Sequence, residues 1–385
     1  MKKEIGVYIH VPFCMSKCSY CSFVSKCASS QEIEEYFKFL KTQIIAESVN
    51  FKDRVVKTIY IGGGTPSYVN ALFIENIIDT LKKYYNMEQS AEITIECNPC
   101  STTKEKLEIY KKAGINRISF GVQSLNDDCL KIIGRKHNSK MALNAINTAK
   151  DVGFDNISCD LLIGIPCQTE QLLLDDIKEL AKAGAKHISA YMLMLEEGTK
   201  LYEQIVINKE FKVADDDACV NMYNSVYSLL KILGFNRYEI SNFALNGYEC
   251  KHNINYWQCG EYVGFGVSAY SYNDNKRFDG FDDFESYYNY VNKKYIIKSD
   301  INLLPPYEVL SKEQKIEELI MLGLRQTKGV SLSTLKNLGY NLLENKAEII
   351  KEYLKNDLIS IDEDYLSVTP QNFGACNQII LNLLP

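Results

Sequence analysis

The sequence has few of the features that mark nucleic-acid-binding, membrane or fibrous proteins. Its 385 residues carry 43 basic and 49 acidic side chains, whereas nucleic-acid binders usually present a basic face. No apolar run approaches the roughly 18 residues of a membrane-spanning helix, and no repeat or low-complexity tract is present. We therefore expect a globular protein that has no nucleic-acid partner and no membrane span.

The sequence also lacks the charged and apolar regions of a signal peptide before its first strand-like run. We therefore expect a cytoplasmic protein. Its 13 cysteines are an odd number, which fits a complete disulfide framework poorly. Disulfides are rare in the cytosol, where spaced cysteines more often bind metal or carry redox chemistry. The cysteines thus indicate a metal or redox site.

Short β-rich runs alternate with amphipathic helical segments through the first half of the chain. This alternation predicts an α/β fold with a parallel sheet and right-handed crossovers, whose sites lie at the C-terminal ends of the strands. The six predicted strands are residues 6–10, 58–62, 92–96, 117–121, 156–164 and 187–195.

The second half has a different pattern. We predict a helix over 215–233, an irregular stretch rich in aromatic residues and glycine over 236–282, and a linker over 303–306. The helices and two short strands after the linker follow a winged-helix order. Without a cluster of basic residues, this unit is better interpreted as a docking domain than as a DNA reader. The predicted domains are 1–235, 236–304 and 305–385.

Cys14, Cys18 and Cys21 form a C-x3-C-x2-C motif directly after the first predicted strand. Three thiolates on one short loop can hold three irons of a [4Fe–4S] cluster and leave the fourth iron open to a small molecule. The alternatives are a coincidence in a cysteine-rich chain and a zinc site, for which Cys27 or His10 would supply a fourth ligand.

A Gly-Gly-Gly-Thr-Pro turn, residues 62–66, follows the second predicted strand. Consecutive glycines let a backbone approach a ligand closely and expose its amides. The alternative is a tight turn between strand and helix, for which one glycine would usually suffice. Because the cysteine motif and this turn follow neighbouring strands, we expect both to contribute to one site.

With these motifs on the first two strands, the chain resembles the radical S-adenosylmethionine (SAM) superfamily. Within it, the chain is similar to the coproporphyrinogen III dehydrogenase-like family, which includes heme chaperones. The resemblance covers nearly the whole chain and is too specific to be chance. It rests on residues 8–14, 62–66, 96–99, 117–124, 134–137, 160–166, 238–244 and 252–257.

The resemblance implies a partial (β/α)6 TIM-like barrel with a C-terminal α+β winged-helix-like domain. It also implies a [4Fe–4S] cluster on Cys14, Cys18 and Cys21, SAM on the open iron, and an electron donor as partner. The positions that match the family's SAM contacts are Tyr8, Tyr20, Gly63, Gly64, Thr65, Glu96, Gln123, Arg135 and Asp160. For two of them another interpretation is open: Arg135 could be a surface residue, and Gln123 could cap a helix.

Two departures from the dehydrogenase pattern favour a heme carrier over an enzyme. Phe23 stands where the dehydrogenase has a further cysteine, and the chain lacks that enzyme's N-terminal extension. Residues 252–257 match the H-N-x-x-Y-W motif of the heme chaperones, which makes His252 the predicted heme ligand. Imidazole is a common axial ligand of heme iron. Cys250 and Cys259 are alternative ligands, and a core role for His252 is the other interpretation.

We therefore predict a heme chaperone that binds the cluster, SAM and heme and transfers heme to acceptor proteins. The resemblance implies membrane respiratory enzymes as those acceptors. The alternative is an oxygen-independent coproporphyrinogen III oxidase that forms protoporphyrinogen IX. No C-x-x-C-H motif supports covalent heme attachment. The remaining eight cysteines, Cys27, Cys97, Cys100, Cys129, Cys159, Cys167, Cys219 and Cys376, are predicted to be packing residues.

Overall fold

Six parallel strands form the core of the computed structural model, which describes residues 3–385. Strands that follow one another in the chain are also adjacent in the sheet, as expected for parallel strands joined by helical crossovers. All six predicted strands are present; the first four are longer than predicted, whereas the fifth ends one residue earlier and the sixth three residues earlier. They are β1 (Lys3–Val11), β2 (Arg54–Gly63), β3 (Met87–Cys97), β4 (Arg117–Gln123), β5 (Asn156–Ile163) and β6 (His187–Met192).

The helices between these strands start at polar N-caps, as the sequence pattern predicts. Ser29 and Glu32 form a capping box at the first helix, and Asn70 and Thr103 cap the next two. The fourth helix was not predicted, because six residues are too few to show helical periodicity. The helices are α1 (Ser30–Glu47), α2 (Ala71–Tyr84), α3 (Lys104–Lys112), α4 (Asp127–Ile132), α5 (Ser139–Asp151) and α6 (Glu170–Ala183).

The stretch predicted to be irregular contains six short elements that were not predicted, although more than half of its residues lie outside them. After α7 (Lys200–Tyr202) and α8 (Asp216–Ile232), its short strands extend both edges of the parallel sheet. Strands of two to four residues are too short for an alternating pattern to reveal them. They are β7 (Asn236–Arg237), β8 (Asn242–Ala244), β9 (Tyr262–Phe265), β10 (Ser271–Asn273) and β11 (Lys276–Phe278), with α9 (Lys251–Trp257) between β8 and β9.

The strands added at the two edges of the parallel sheet run in opposite directions relative to it. We call residues 236–304 the extension. Its strand β9 pairs in parallel with β1, so this part of the extension lies beside the strand that leads into the cysteine motif. β10, β11 and β12 (Tyr307–Val309) continue from β9 as antiparallel strands. At the other edge, β8 pairs antiparallel with β6. The twelve strands thus form a barrel-like sheet with two irregular flanks, and α10 (Phe284–Val291) packs against α1.

The C-terminal unit has the expected winged-helix order of helices followed by a hairpin. Arg237 attaches it to the barrel, because its guanidinium stacks on Tyr227 and on Phe373, 4.4 and 3.7 Å from the ring centres. The predicted domain boundaries stay predictions. The elements are α11 (Lys312–Gly323), β13 (Val330–Ser331), α12 (Leu332–Asn337), α13 (Leu342–Asn345), α14 (Ala347–Lys355), β14 (Ile359–Asp362), β15 (Tyr365–Val368) and α15 (Cys376–Leu383).

Within residues 3–385, no helix has both the length and the apolar composition that a membrane crossing requires.

Candidate functional site

A cavity of about 330 Å³ lies at the C-terminal edge of the parallel strands. We call it the first cavity. It brings together eleven of the thirteen predicted site residues, whereas Tyr8 lines a neighbouring cavity and His252 lines neither. The eleven are Cys14, Cys18, Cys21, Tyr20, Gly63, Gly64, Thr65, Glu96, Gln123, Arg135 and Asp160.

Backbone hydrogen bonds hold the cysteine loop at both ends and in the middle. The amide of Cys14 donates to the carbonyl of Lys26 over 3.1 Å, and the amide of Lys26 donates to Pro12 over 2.9 Å. In the middle of the loop, the amide of Ser19 donates to Ile133 over 3.1 Å. These bonds fix the segment that carries the three thiols, all of which line the cavity.

The glycine turn packs directly against the cysteine loop. Gly64 donates its amide to the carbonyl of Val11 over 2.9 Å, and Thr65 donates to Phe13 over 2.8 Å. Gly63 has φ of +112°, and a Cβ there would lie 2.5 Å from the His10 ring. Any larger residue at position 63 would therefore clash, which explains why the turn needs more than one glycine.

Glu96, near the end of β3, is half-buried, and its carboxyl group lies at the cavity wall. It accepts hydrogen bonds from the Tyr60 hydroxyl over 2.9 Å and from the Gly63 amide over 3.2 Å. Burial nevertheless raises its pKa to about 7, since desolvation of the charged form outweighs these bonds. The carboxyl group can therefore change its protonation state near neutral pH when a ligand binds.

Arg135 and Asp160 place opposite charges on the same cavity. One Arg135 nitrogen donates to the Cys18 sulfur over 3.5 Å and another to the Gly121 carbonyl, while its buried Nε has no partner within residues 3–385. Asp160 accepts from Ser119 over 3.3 Å, and burial raises its pKa. The interpretation of Arg135 as a surface residue is therefore excluded.

Gln123 ends β4 with φ of +70°, which turns its side chain toward the cavity. Its amide oxygen accepts from the Tyr191 hydroxyl over 3.1 Å. Asn126, rather than Gln123, caps the following helix by accepting from two backbone amides. The capping alternative for Gln123 is thus excluded, and a strained residue at a cavity edge is typical of a functional site.

The donor set fits an iron–sulfur cluster better than a zinc ion. His10 has both ring nitrogens engaged, with the Tyr8 hydroxyl at 3.0 Å and the Val24 carbonyl at 3.1 Å. The Cys27 thiol is exposed and donates to the Met15 carbonyl. Neither proposed fourth ligand lines the cavity that the three thiols line, and within residues 3–385 no group of three or more ligands is arranged to hold a metal ion.

The first cavity also has the groups that a zwitterionic nucleoside such as SAM requires. The unpaired Nε of Arg135 suits a carboxylate, and the oxygens of Glu96 and Asp160 suit an amine or ribose hydroxyls. The glycine turn leaves room for a close approach of the ligand to the backbone. These residues therefore fit the cluster and SAM together.

A second, larger cavity of about 850 Å³ adjoins the first. We call it the second cavity. Its walls come from the barrel, from the extension and from α11, which contributes Glu318 and Leu322. The two cavities share Phe23, Glu96, Asp160 and Tyr191. The aromatic residues that line the second cavity are Tyr8, Phe23, Tyr60, Tyr191, Tyr256, Trp257, Tyr262, Tyr270 and Tyr272.

His252 lies behind the wall of the second cavity and is fully buried. Its Nδ1 is 2.8 Å from the Thr58 hydroxyl, and its Nε2 is 2.9 Å from the Tyr256 hydroxyl. The ring also stacks on Tyr60 at 5.3 Å. In this conformation neither nitrogen is free to bind iron, so a role as heme ligand requires one of the two hydrogen bonds to break.

The other cysteines divide by position. Cys250 is buried outside the second cavity, whereas Cys259 lines it. Packing roles were predicted for Cys27, Cys100 and Cys167, but Cys27 and Cys167 are exposed and Cys100 lines the first cavity. These three predictions are wrong, because residue type alone cannot indicate which loop positions face outward.

Several first-cavity residues were not predicted. Asn98, Cys100 and Ser101 follow Glu96 on the loop after β3, and Tyr191 lies near the end of β6. The rule that sites lie at the C-terminal ends of parallel strands would have found them. For Tyr191 this rule was the only signal, because no recognised motif covers it.

Comparison with known proteins agrees with this geometry. The profile of the Radical SAM superfamily matches residues 8–182, and that of the HemN C-terminal domain matches residues 310–372. The heme chaperone HemW of Lactococcus lactis is 31% identical over 100% of this chain and 98% of its own length. The heme chaperone HemW of Bacillus subtilis is 34% identical over 97% of each chain.

A solved structure shows the same fold. The coproporphyrinogen III oxidase of Escherichia coli, a radical SAM enzyme, superposes with a TM-score of 0.83 at 20% identity, covering 100% of this chain and 90% of that one. It confirms the barrel with its C-terminal unit. Superfamily membership implies a [4Fe–4S] cluster and SAM as cofactors. Similarity along the full length of two curated relatives goes further, and the chain belongs to the HemW family of the radical SAM superfamily.

Proposed function

We propose that this protein is a heme chaperone, which holds the cluster and SAM in the first cavity, binds heme in the second and passes it to acceptor proteins. One observation carries the proposal: an aromatic-lined second cavity shares a wall with the SAM cavity. Its size of about 850 Å³ lies within the range of cofactor pockets, roughly 300–1,000 Å³. Flat aromatic side chains suit the faces of a porphyrin.

In the first cavity we assign Cys14, Cys18 and Cys21 to the cluster. When bound, a cluster with one open iron supplies one-electron chemistry to SAM. The chain itself binds and orients: Arg135 pairs with a carboxylate, and Glu96 and Asp160 accept from an amine or hydroxyls. The Tyr20 ring lines the same cavity and offers an apolar surface to the adenine.

In the second cavity we keep His252 as the proposed heme ligand. Ligation through one ring nitrogen would replace its hydrogen bond to Thr58 or to Tyr256 by a bond to iron, while the other nitrogen keeps its partner. Burial holds the pKa of His252 at about 3, so the ring is neutral and its lone pair is available once that one bond opens. Cys259 already faces this cavity and is the alternative ligand.

Phe23 supports a carrier rather than an oxidase. Its side chain is 67% exposed and lines both cavities, at the position where the oxidising relatives have a further cysteine. A phenyl ring can neither donate a proton nor bind a metal. The curated relatives that span the full chain are named heme chaperones, and the oxidase alternative has no observation in its favour beyond the shared fold.

The test uses full-length protein with its cluster reconstituted under anaerobic conditions. Hemin is titrated in and followed by absorbance, and the loaded protein is then mixed with an apo-globin as a general heme acceptor. We expect stoichiometric binding followed by transfer. Turnover of coproporphyrinogen III to protoporphyrinogen IX, with SAM and reductant present, would overturn the proposal.

His252→Ala tests the ligand assignment, with Tyr256→Phe as the matched control. Both substitutions remove the hydrogen bond between the two side chains, but only the first removes the imidazole. If His252 binds iron, the heme spectrum changes in His252→Ala and is retained in Tyr256→Phe. The same heme spectrum in His252→Ala as in the wild type would remove the assignment and leave His252 as a core residue.

A further inference from the structure

The second cavity is polar in different ways at its two ends. Glu96 and Asp160 lie at the end shared with the first cavity, whereas Arg277, Tyr262 and Tyr272 lie on the strands of the extension. Among the lining residues in the described part of the chain, Arg277 is the one Lys or Arg. The cavity therefore has one end rich in acceptors and another with hydrogen-bond donors.

We propose that Arg277, with the hydroxyl groups of Tyr262 and Tyr272, forms the subsite for the carboxylate edge of the tetrapyrrole. This inference rests on the proposed function, because it assigns an orientation to the heme. A guanidinium presents five N–H donors in a planar fork that matches a carboxylate, and phenol hydroxyls add further donors. Heme carries two carboxylates on one edge of the ring, which makes that edge the part that a cation recognises.

The two tyrosines lie close enough to Arg277 to act with it. The positive charge of Arg277 opposes the rise that burial causes in the pKa of Tyr262 and of Tyr272. The rings of these tyrosines are 6.5 Å apart, and Tyr262 also packs edge-on against Tyr256 at 4.6 Å. Three side chains from β9, β10 and β11 thus converge on one end of the cavity.

Glu318 occupies the position that a ligand carboxylate would take. It comes from α11, lines the cavity and accepts from one terminal nitrogen of Arg277. The other terminal nitrogen donates over 3.3 Å to Glu308, whose side chain is about half exposed. A bound carboxylate would share the guanidinium with Glu318 or displace it, so Glu318 lowers the affinity of the subsite.

The opposite end of the cavity reinforces this orientation. Glu96 and Asp160 carry the acidic groups there, and like charges repel a carboxylate that enters the wrong way round. Glu239, which also lines the cavity, has an oxygen without a partner within residues 3–385. In the proposed orientation, the carboxylate edge of the heme therefore points toward β9, β10 and β11, and its apolar edge points toward the first cavity.

Two probes and four variants test the subsite in full-length, cluster-loaded protein. Hemin and its dimethyl ester, which has no free carboxylate, are titrated into wild type, Arg277→Gln, Glu318→Gln, Tyr262→Phe and Lys276→Gln. Lys276 is the matched control, since it lies on the same strand, carries the same charge and does not line the cavity.

We expect wild type to prefer hemin to the ester and Arg277→Gln to bind hemin roughly 10- to 100-fold more weakly, as for loss of a charged hydrogen bond. Arg277→Gln should also show a much smaller preference for hemin over the ester, because only the two hydroxyl donors remain. Glu318→Gln should bind hemin roughly 2- to 5-fold more tightly, because a competitor is removed. Lys276→Gln should match wild type.

Iron content and SAM affinity report whether each variant is folded. If Arg277→Gln does not fold, Tyr262→Phe carries the test, since it removes one donor and should reduce the preference for hemin. Equal binding of the two probes by wild type would overturn the subsite and leave the chaperone function intact. Failure of wild type to bind hemin at all would overturn both.

Discussion

The two cavities share a wall but are built in different ways. The first is lined by loops that follow consecutive parallel strands, and its residues belong to short motifs such as 14–21 and 62–66. The second collects side chains from β1, the extension and α11, which are far apart in the sequence. Cofactor chemistry is thus placed on the regular part of the fold, and the proposed cargo site on the irregular part.

The difference also appears in polarity. The first cavity combines five thiols, three carboxyl groups and one guanidinium, whereas aromatic rings form much of the second. A site that must hold a reactive cofactor in one orientation needs many directional contacts. A site that must release its ligand to an acceptor is better served by flat apolar contacts with few strong anchors.

The largest expected effect comes from Cys18→Ala, because a [4Fe–4S] cluster depends on its thiolate ligands. We expect no cluster after anaerobic reconstitution, as measured by iron and sulfide content, while the second cavity still binds hemin. Cys27→Ala is the control, since this cysteine is exposed and does not line the first cavity. Loss of hemin binding in Cys18→Ala alone would show that the second cavity binds hemin only when the cluster is in place.

The next effect concerns Glu239 in the second cavity, where burial raises the pKa from 4.5 to about 7. The folded protein therefore holds this proton when the unfolded chain has lost it, so stability falls as pH rises from 4.5 to 7. The loss amounts to roughly 3 kcal/mol. Denaturant unfolding at several pH values should show it, and Glu239→Gln should flatten the dependence.

Glu352→Gln is the control for that experiment, because it removes an exposed carboxyl group on α14. Its unfolding free energy should follow the wild-type pH dependence. A Glu239→Gln protein with an unchanged slope would mean that the carboxyl group is hydrated in solution rather than buried.

A smaller effect is expected for Gly63→Ala in the first cavity. The new Cβ would lie 2.5 Å from the His10 ring, so the turn that lines the SAM cavity, or the ring itself, must move. We expect SAM affinity to fall roughly tenfold or more by equilibrium binding, since displacements of this size at a site are costly. The cluster content should be retained.

Gly153→Ala separates the clash from backbone strain. Gly153 also has positive φ, at +93°, but a Cβ there would meet no atom within 4 Å. It should cost about 1–2 kcal/mol of stability from the left-handed backbone and leave SAM affinity unchanged. Equal loss of SAM affinity in both variants would mean that general destabilisation, and not the contact with His10, is responsible.

The smallest effect is a pH dependence of SAM binding that arises from Glu96, whose pKa is about 7. Protonation removes the charge that attracts the amine of SAM, so affinity should fall as pH is lowered through 7, by up to about tenfold per unit. Isothermal titration calorimetry between about pH 6 and about pH 8 would measure this dependence of SAM affinity on pH. Glu96→Gln should bind weakly at all pH values, and a wild-type slope in this variant would exclude Glu96 as the titrating group.

The sequence predicted the first cavity well because its residues lie in motifs at strand ends. Gly63 and Glu96 lie near the ends of β2 and β3, and parallel strands bring such residues to one edge. Tyr8 was predicted to contact SAM but lines the second cavity, because its side chain points to the neighbouring space. A motif match gives the position of a residue but not the direction of its side chain.

The second cavity was much harder to predict. Arg277 lies on a strand of three residues and meets Glu318, 41 positions away, through the docking of α11. No local pattern encodes that contact. His252 was predicted to face a ligand, yet its fully buried ring contacts Thr58, 194 positions away, and only tertiary packing reveals this.

The wall that the cavities share has a thermodynamic consequence. Glu96 and Asp160 face both spaces, so a ligand in one cavity alters the charges and protons that a ligand in the other encounters. Linkage then requires reciprocity: the factor by which SAM changes the affinity for the second ligand equals the factor by which that ligand changes the affinity for SAM. Through these two carboxyl groups the two cavities form a single binding system, in which binding or release of a ligand in one cavity changes the affinity for the ligand in the other.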